Sequence, residues 1–184
     1  SSDLFNKFFT TVESWLLSIF KFLWFLNVFF KFGRFLCEEE LKMKKKITVP
    51  EIRASKGGDK VITMVTSYDY TNAKLVDESD VDMILVGDSL GMTMLGYKGT
   101  VGVTLEDMIY HTSHVVKGAP NTFVIGDMPF GSYNVSLEEA VRNANRLFME
   151  TGCDCVKLEG GSDMAPVIKA IVKAGIPVCA HRSE

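Results

Sequence analysis

The chain has 184 residues, of which 47% are hydrophobic and 23% charged, and its formal net charge is -3. That length holds one domain with a real core and is too short for two ordinary ones. A mildly acidic balance excludes a phosphate-backbone binder, which presents a basic face, so no nucleic-acid partner is expected.

The average hides a break in composition. Ten of the thirteen Phe and both Trp fall within the first 35 residues. From Trp15 to Leu36 the chain reads WLLSIFKFLWFLNVFFKFGRFL, interrupted by Lys21, Asn27, Lys31 and Arg34. A membrane-spanning helix needs about 20 mostly apolar residues, so a span through residues 15–36 requires its lysines to snorkel to the interface. No basic segment precedes the run and no small-residue cleavage site follows it, which is unlike a secretory signal; Asp3, Glu13 and the lone Arg34 fit a transit peptide badly. After Glu38-Glu39-Glu40 comes Met43-Lys44-Lys45-Lys46, which reads as a natural start. Residues 1–42 are therefore read as a hydrophobic helical leader, either extraneous or a membrane anchor, and residues 43–184 as the domain. The first reading implies a cytoplasmic protein, the second a membrane-associated one.

From Ile47 the pattern becomes orderly. ITVPEIRASK is a short amphipathic segment with Pro50 in a first helical turn, and Gly57-Gly58-Asp59 is a turn. Residues 61–67 read as a strand and 71–79 as a helix with Ala73, Leu75 and Val76 inward. A second strand spans 83–88, and a helix over 104–118 opens on Thr104 as N-cap. A third strand spans 123–129. The helix over 136–151 opens on Ser136, with Glu139 at the capping-box position, and ends at Gly152. A fourth strand at 155–160, a helix at 163–174 ending at Gly175 and a fifth strand at 177–181 complete the series. Apolar strands alternating with helices predict a parallel sheet buried on both faces, either doubly wound or part of a barrel.

Cys37, Cys153, Cys155 and Cys179 form no CxxC pair, and Cys153 and Cys155 on one strand would share a face. Free, largely buried thiols are expected rather than a zinc site. His111 and His114, three apart on a helix, lack a third ligand nearby and read as packing or surface residues. Met92, Met94 and Met108 read as packing. Gly87, Gly91 and Gly96 do not make a dinucleotide-binding GxGxxG.

Ionisable and hydroxyl groups gather at the C-terminal ends of the strands: Tyr68 and Asp69, Asp88 and Ser89, Asp127, then Lys157 with Glu159, then His181. In a parallel barrel those ends converge on one mouth, where active sites are built. Lys157 and Glu159, two apart on a strand, point to the same face. Neighbouring carboxylates repel unless a cation neutralises them, and oxygen ligands favour a hard divalent ion such as magnesium.

TSYDY (66–70), VGDSLGM (86–92), EDMIYHT (106–112), GDMPFGSY (126–133) and VKLEGG (156–161) resemble, in order and spacing, the motifs of ketopantoate hydroxymethyltransferases. The resemblance covers residues 43–181. It implies a (β/α)8 barrel of TIM type, present here for about five strands, and transfer of a hydroxymethyl group from methylene-tetrahydrofolate to 3-methyl-2-oxobutanoate in pantothenate biosynthesis. By resemblance Asp88 and Asp127 are Mg2+ ligands, with Glu159 at the metal directly or through water. Ser89 and Lys157 would hold the carboxylate of the 2-oxo acid, and Tyr68 and His181 line the pocket. Family members carry a Gly-Leu-Thr-Pro-type segment after that histidine, where this chain reads Arg182-Ser183-Glu184. The resemblance thus puts three strands and the proton-accepting glutamate beyond Glu184, so no catalytic base is expected within the chain, and turnover by the chain as it stands is not expected. A complete enzyme of this kind is expected to be a homo-oligomer. Two alternatives are another Mg2+-enolate enzyme of the phosphoenolpyruvate mutase and isocitrate lyase type, and a noncatalytic membrane-associated product.

Overall fold

The computed structural model describes residues 44–59 and 61–182, so the leader, Cys37 and the membrane-anchor reading lie outside the described residues. Five strands, β1 (Met64–Thr66), β2 (Met83–Val86), β3 (Phe123–Asp127), β4 (Cys155–Glu159) and β5 (Val178–His181), pair in parallel in the order β1-β2-β3-β4-β5. The helices are α1 (Val49–Ala54), α2 (Tyr70–Asp77), α3 (Leu90–Thr93), α4 (Leu105–Gly118), α5 (Leu137–Thr151) and α6 (Ala165–Lys173), with a 3-10 turn at Ser162–Met164 before α6. Strand order decides between the two architectures that alternation left open, in favour of the barrel the resemblance implied. A doubly wound sheet reverses its order at a switch point. Here each strand lies beside its predecessor, so right-handed crossovers put every connecting helix on one face. The result is an α/β segment of a barrel wall, with the opposite face as the barrel interior.

Side-chain alternation follows from that geometry. Ile84, Val86, Val124, Val156 and Leu158 pack outward in a cluster with the helical residues Met108, Leu147 and Ile171. Met83, Phe123, Ile125 and Cys155 pack on the inner face, against Ile47, Val49 and Ile52 of the entering segment. This segment is pinned by its lysines. The Lys44 ammonium donates to Thr122 Oγ1 at 2.8 Å, and that of Lys46 to Asp154 at 2.9 Å, whose carboxylate also accepts the Val124 amide. The inner face stays open toward its base as a groove of about 660 Å³.

Local chemistry sets the helix ends. Thr104 and Asp107 form a reciprocal capping box on α4, while on α5 Ser136 accepts the Glu139 amide without a return bond. Gly152 ends α5 in the left-handed region, at φ 72°. At the end of α4, Gly118 lies so near α2 that a Cβ there would stand 2.9 Å from the Ala73 methyl.

Four expectations are corrected. Leu75 is 63% exposed, because only Ala73 of α2 is buried in the α2–α4 contact and Leu75, about 200° round the helix from it, faces away. Cys153 precedes β4 and joins the outer cluster, whereas Cys155 faces inward, so the two do not share a face. Met92 and Met94 are exposed on and after the short α3, a helix that periodicity did not show; Met108 is buried as expected. Burial on both faces holds for β3 but not for β1 and β5, which are the sheet edges. Cys153, Cys155 and Cys179 are free thiols, the first two buried. No helix among the described residues is long and apolar enough to cross a membrane.

Candidate active site

The inner face changes character along its length. On β3 it runs Phe123, Ile125, Asp127; on β4, Cys155, Lys157, Glu159; on β5, Cys179, His181. The register sets Asp127 opposite Lys157 and Glu159 opposite His181. Apolar residues fill the base, and ionisable ones occupy the end where the strands finish. Ladder geometry alone therefore brings four sequence-predicted residues together.

The side chains are linked. Lys157 Nζ lies 2.7 Å from Asp127 Oδ2 and 3.0 Å from Glu159 Oε1. Glu159 Oε1 is in turn 3.2 Å from His181 Nδ1. Asp127 is 2% exposed and Lys157 9%. Losing Lys157 would leave the buried Asp127 carboxylate uncompensated, at a cost of about 3–5 kcal/mol, whereas Glu159 stays beside the ammonium if the Asp127 charge is lost. Burial pushes the Asp127 carboxyl up to about 6, against the pull of the Lys157 ammonium. Burial also disfavours the Lys157 charge, but the Asp127 and Glu159 carboxylates outweigh it and hold that ammonium above its usual range. Glu159 sits below the ordinary glutamate value, chiefly through its hydrogen bond from Lys157.

The end of β2 supplies the opposite wall. The Asp88 amide donates to Asp127 Oδ2 at 3.4 Å, and the Asp88 carboxylate is near enough to raise the Asp127 pKa. Gly87 permits this turn, since a Cβ there would stand 2.9 Å from Ser89 Oγ. Ser89 Oγ and the Tyr68 hydroxyl are 2.9 Å apart. All seven predicted residues thus stand in one linked surface at the mouth. Asp69, the remaining strand-end residue, instead caps α2 by accepting the Asn72 amide at 2.9 Å.

Sequence reasoning missed Tyr133. Met128 N donates to Lys157 O at 2.8 Å, and the Glu159 amide, one rung further on, donates to the Tyr133 hydroxyl at 3.4 Å. Pro129 turns the chain away from the sheet there, and the buried phenol replaces a backbone acceptor. Tyr133 closes the GDMPFGSY run, but it lies on no strand or helix, so no period marks it.

The donor set bears on the expected metal. No three His, Cys, Asp or Glu side chains among the described residues form a ready cage. Magnesium does not need one: it keeps several waters and takes one or two carboxylates plus substrate oxygens. Asp127 Oδ1 is buried without a hydrogen-bond partner, an arrangement that is costly unless a cation or donor from outside meets it. With Asp88 adjoining, the residues fit an octahedral, oxygen-ligated ion better than zinc.

Known proteins were compared with the chain. The family model described as ketopantoate hydroxymethyltransferase matches residues 46–182. A 3-methyl-2-oxobutanoate hydroxymethyltransferase of Heliobacterium modesticaldum is 59% identical over 139 residues, covering 76% of this chain and 50% of the relative. That of Ignicoccus hospitalis is 56% identical over 138 residues, covering 74% and 52%. The chain therefore spans about half the length of the curated relatives it matches. Among solved structures, a phosphoenolpyruvate phosphomutase from Streptomyces platensis subsp. rosaceus superposes with a TM-score of 0.59 at 12% identity, covering 74% of this chain and 54% of that one. A phosphonopyruvate hydrolase in complex with oxalate and Mg2+ gives 0.59 at 10% identity, covering 71% and 50%. At such identities the likeness is one of fold, and it agrees with a barrel wall.

Proposed function

The chain belongs to the ketopantoate hydroxymethyltransferase family, and on that premise we propose that its mouth is the metal and 2-oxo-acid half of a site for transferring a hydroxymethyl group from methylene-tetrahydrofolate to 3-methyl-2-oxobutanoate. One observation carries the reading. The buried Asp127 carboxylate spends one oxygen on Lys157 and leaves the other without a partner, beside Asp88.

Asp88 and Asp127 would hold Mg2+, with Glu159 reaching it directly or through water. The bound ion would supply Lewis-acid polarisation of the keto group, which acidifies the neighbouring C–H. Lys157, with its ammonium pinned between two carboxylates, meets the carboxylate end of the acid, and Ser89 adds a hydroxyl whose place is set by Tyr68. His181 closes the β5 side and steadies Glu159. Neither Glu159, depressed below the usual range, nor Asp127, engaged by Lys157, is suited to remove the C3 proton. By the resemblance, proton removal is assigned to a glutamate outside this cluster.

The test is calorimetric titration of 3-methyl-2-oxobutanoate into the chain with and without Mg2+. Binding that requires the ion and is lost in Asp127→Asn supports the reading. Absence of Mg2+-dependent binding in the unmodified chain would overturn it. The phosphoenolpyruvate mutase alternative rests on fold likeness at 10–17% identity, whereas the hydroxymethyltransferase relatives reach 59%. Tighter binding of phosphonopyruvate than of 3-methyl-2-oxobutanoate would favour the former.

A further inference from the structure

His111 stands on α4 in the outer helical layer, half-buried, and takes no part in the mouth. Its Nδ1–H donates to the backbone carbonyl of Tyr68 at 2.7 Å. That carbonyl has no regular place to go. The β1 ladder ends with the Ser67 amide on Leu85 O, and α2 begins only at Tyr70. A backbone acceptor stranded between sheet and helix needs a partner from elsewhere. The imidazole supplies one, and its ring packs edge-on against Tyr110 with centroids 5.4 Å apart. His114, on the same helix, donates to the Tyr110 carbonyl one turn back and packs on the Tyr110 ring, so it stays within α4.

The Tyr68 carbonyl is one end of a chain of contacts. Its phenol meets Ser89 Oγ at 2.9 Å, and the adjoining Asp88 amide donates to Asp127 Oδ2. We propose that His111 is a positioning residue that acts through Tyr68. By fixing the Tyr68 backbone it sets the reach of the phenol, and the phenol holds the Gly87-Asp88-Ser89 turn against Asp127. The hydroxyl of Ser89 is then preset for the anionic end of a 2-oxo acid. The ligand in this statement rests on the function proposed above; the coupling from His111 to Ser89 does not.

The experiment separates the two. Backbone amide spectra and hydrogen exchange are compared for the unmodified chain, H111A and H111N, since Asn keeps a donor at the Nδ1 position. Losing one hydrogen bond typically shifts a local equilibrium by roughly threefold to tenfold. In H111A the Asp88 and Ser89 amides are expected to move and to exchange faster by about that factor, while amides around Leu147 stay unchanged; H111N stays close to the unmodified chain. With Mg2+ present, H111A is expected to bind 3-methyl-2-oxobutanoate roughly fivefold more weakly, and adding Tyr68→Phe should weaken it no further. Should H111A fail to fold, H111Q, whose amide donor sits one bond further out, takes its place. Unmoved Asp88 and Ser89 amides, or additive effects of the two substitutions, overturn the proposal. Amides that respond in a chain that binds no 2-oxo acid uphold the positioning and overturn the proposed ligand.

Discussion

Replacing Asp127 with Asn removes a buried charge and keeps the side chain's shape. Burial, opposed by Lys157 and reinforced by the Asp88 carboxylate, lifts the Asp127 carboxyl from 3.8 to about 6. A folded-state value above the unfolded one means that folding favours the protonated form. Its stabilising contribution is therefore fully present below about pH 4 and is lost as pH rises through about 6. Two pKa units correspond to about 3 kcal/mol, so the metal-free protein sheds roughly that much unfolding free energy from this group between about pH 4 and pH 7. Asn has no proton to lose, and Glu159, 3.0 Å from Lys157, keeps the ammonium from being stranded. The two proteins should match near pH 4, and the variant should be more stable by about 3 kcal/mol near pH 7. Urea unfolding in EDTA across that range measures the difference. A difference that does not grow with pH would refute the placement of Asp127 as a desolvated carboxyl.

Tyr133→Phe removes the acceptor of the Glu159 amide; a loss of about 1 kcal/mol is expected together with faster exchange at Glu159, and an unchanged exchange rate would count against that bond. Gly160→Ala places a Cβ at φ 149° against the Met164 side chain, so a loss of about 1–3 kcal/mol is expected in urea unfolding, and a neutral variant would show that the turn is not constrained as described. Burial pushes the thiols of Cys153 and Cys155 above the usual range, so peptide mapping after brief treatment with a thiol reagent should find both unlabelled in the native protein and labelled in urea.

The fold was legible where one residue type can do only one thing. Thr104, Ser136 and Gly152 mark helix ends because hydroxyl caps and a left-handed glycine are local devices, and the structure places the ends of α4 and α5 beside them. The mouth was legible because alternation carries Asp127, Lys157, Glu159 and His181 to the same face once the strands are aligned. What stayed hidden depends on contacts between elements. Leu75 looked inward by period alone, but the side that α4 covers is decided by the close approach at Gly118. Tyr133 and His111 both satisfy backbone groups that the sheet leaves over, and such leftovers appear only when the ladders are built. Alternation alone does not choose between doubly wound sheet and barrel, since both share it; the resemblance implied the barrel, and the strand order agrees.

Charge in the mouth constrains how an anion can enter it. Asp127 and Glu159 both contact the ammonium of Lys157 and the Asp88 carboxylate lies near Asp127, so the surface is formally negative without a metal. Two unit charges about 4 Å apart interact by about 4 kcal/mol where the effective dielectric is near 20, which is enough to repel a 2-oxo acid from an uncompensated site. On the proposed function, a divalent cation held by Asp88 and Asp127 would remove that repulsion. Acid and metal should therefore bind with positive coupling, and linkage requires each to tighten the other by the same factor. Asp88→Asn shifts both sides of this balance, weakening Mg2+ while relieving the repulsion that the acid meets alone. Titrations of 3-methyl-2-oxobutanoate in EDTA and in Mg2+ are expected to differ by at least tenfold in the unmodified chain and by less in Asp88→Asn, the lower end of that range matching about 1.4 kcal/mol of coupling. Equal affinity in EDTA and Mg2+ would mean that Lys157 alone governs the acid and that the carboxylates of β2 and β3 serve the fold rather than a metal.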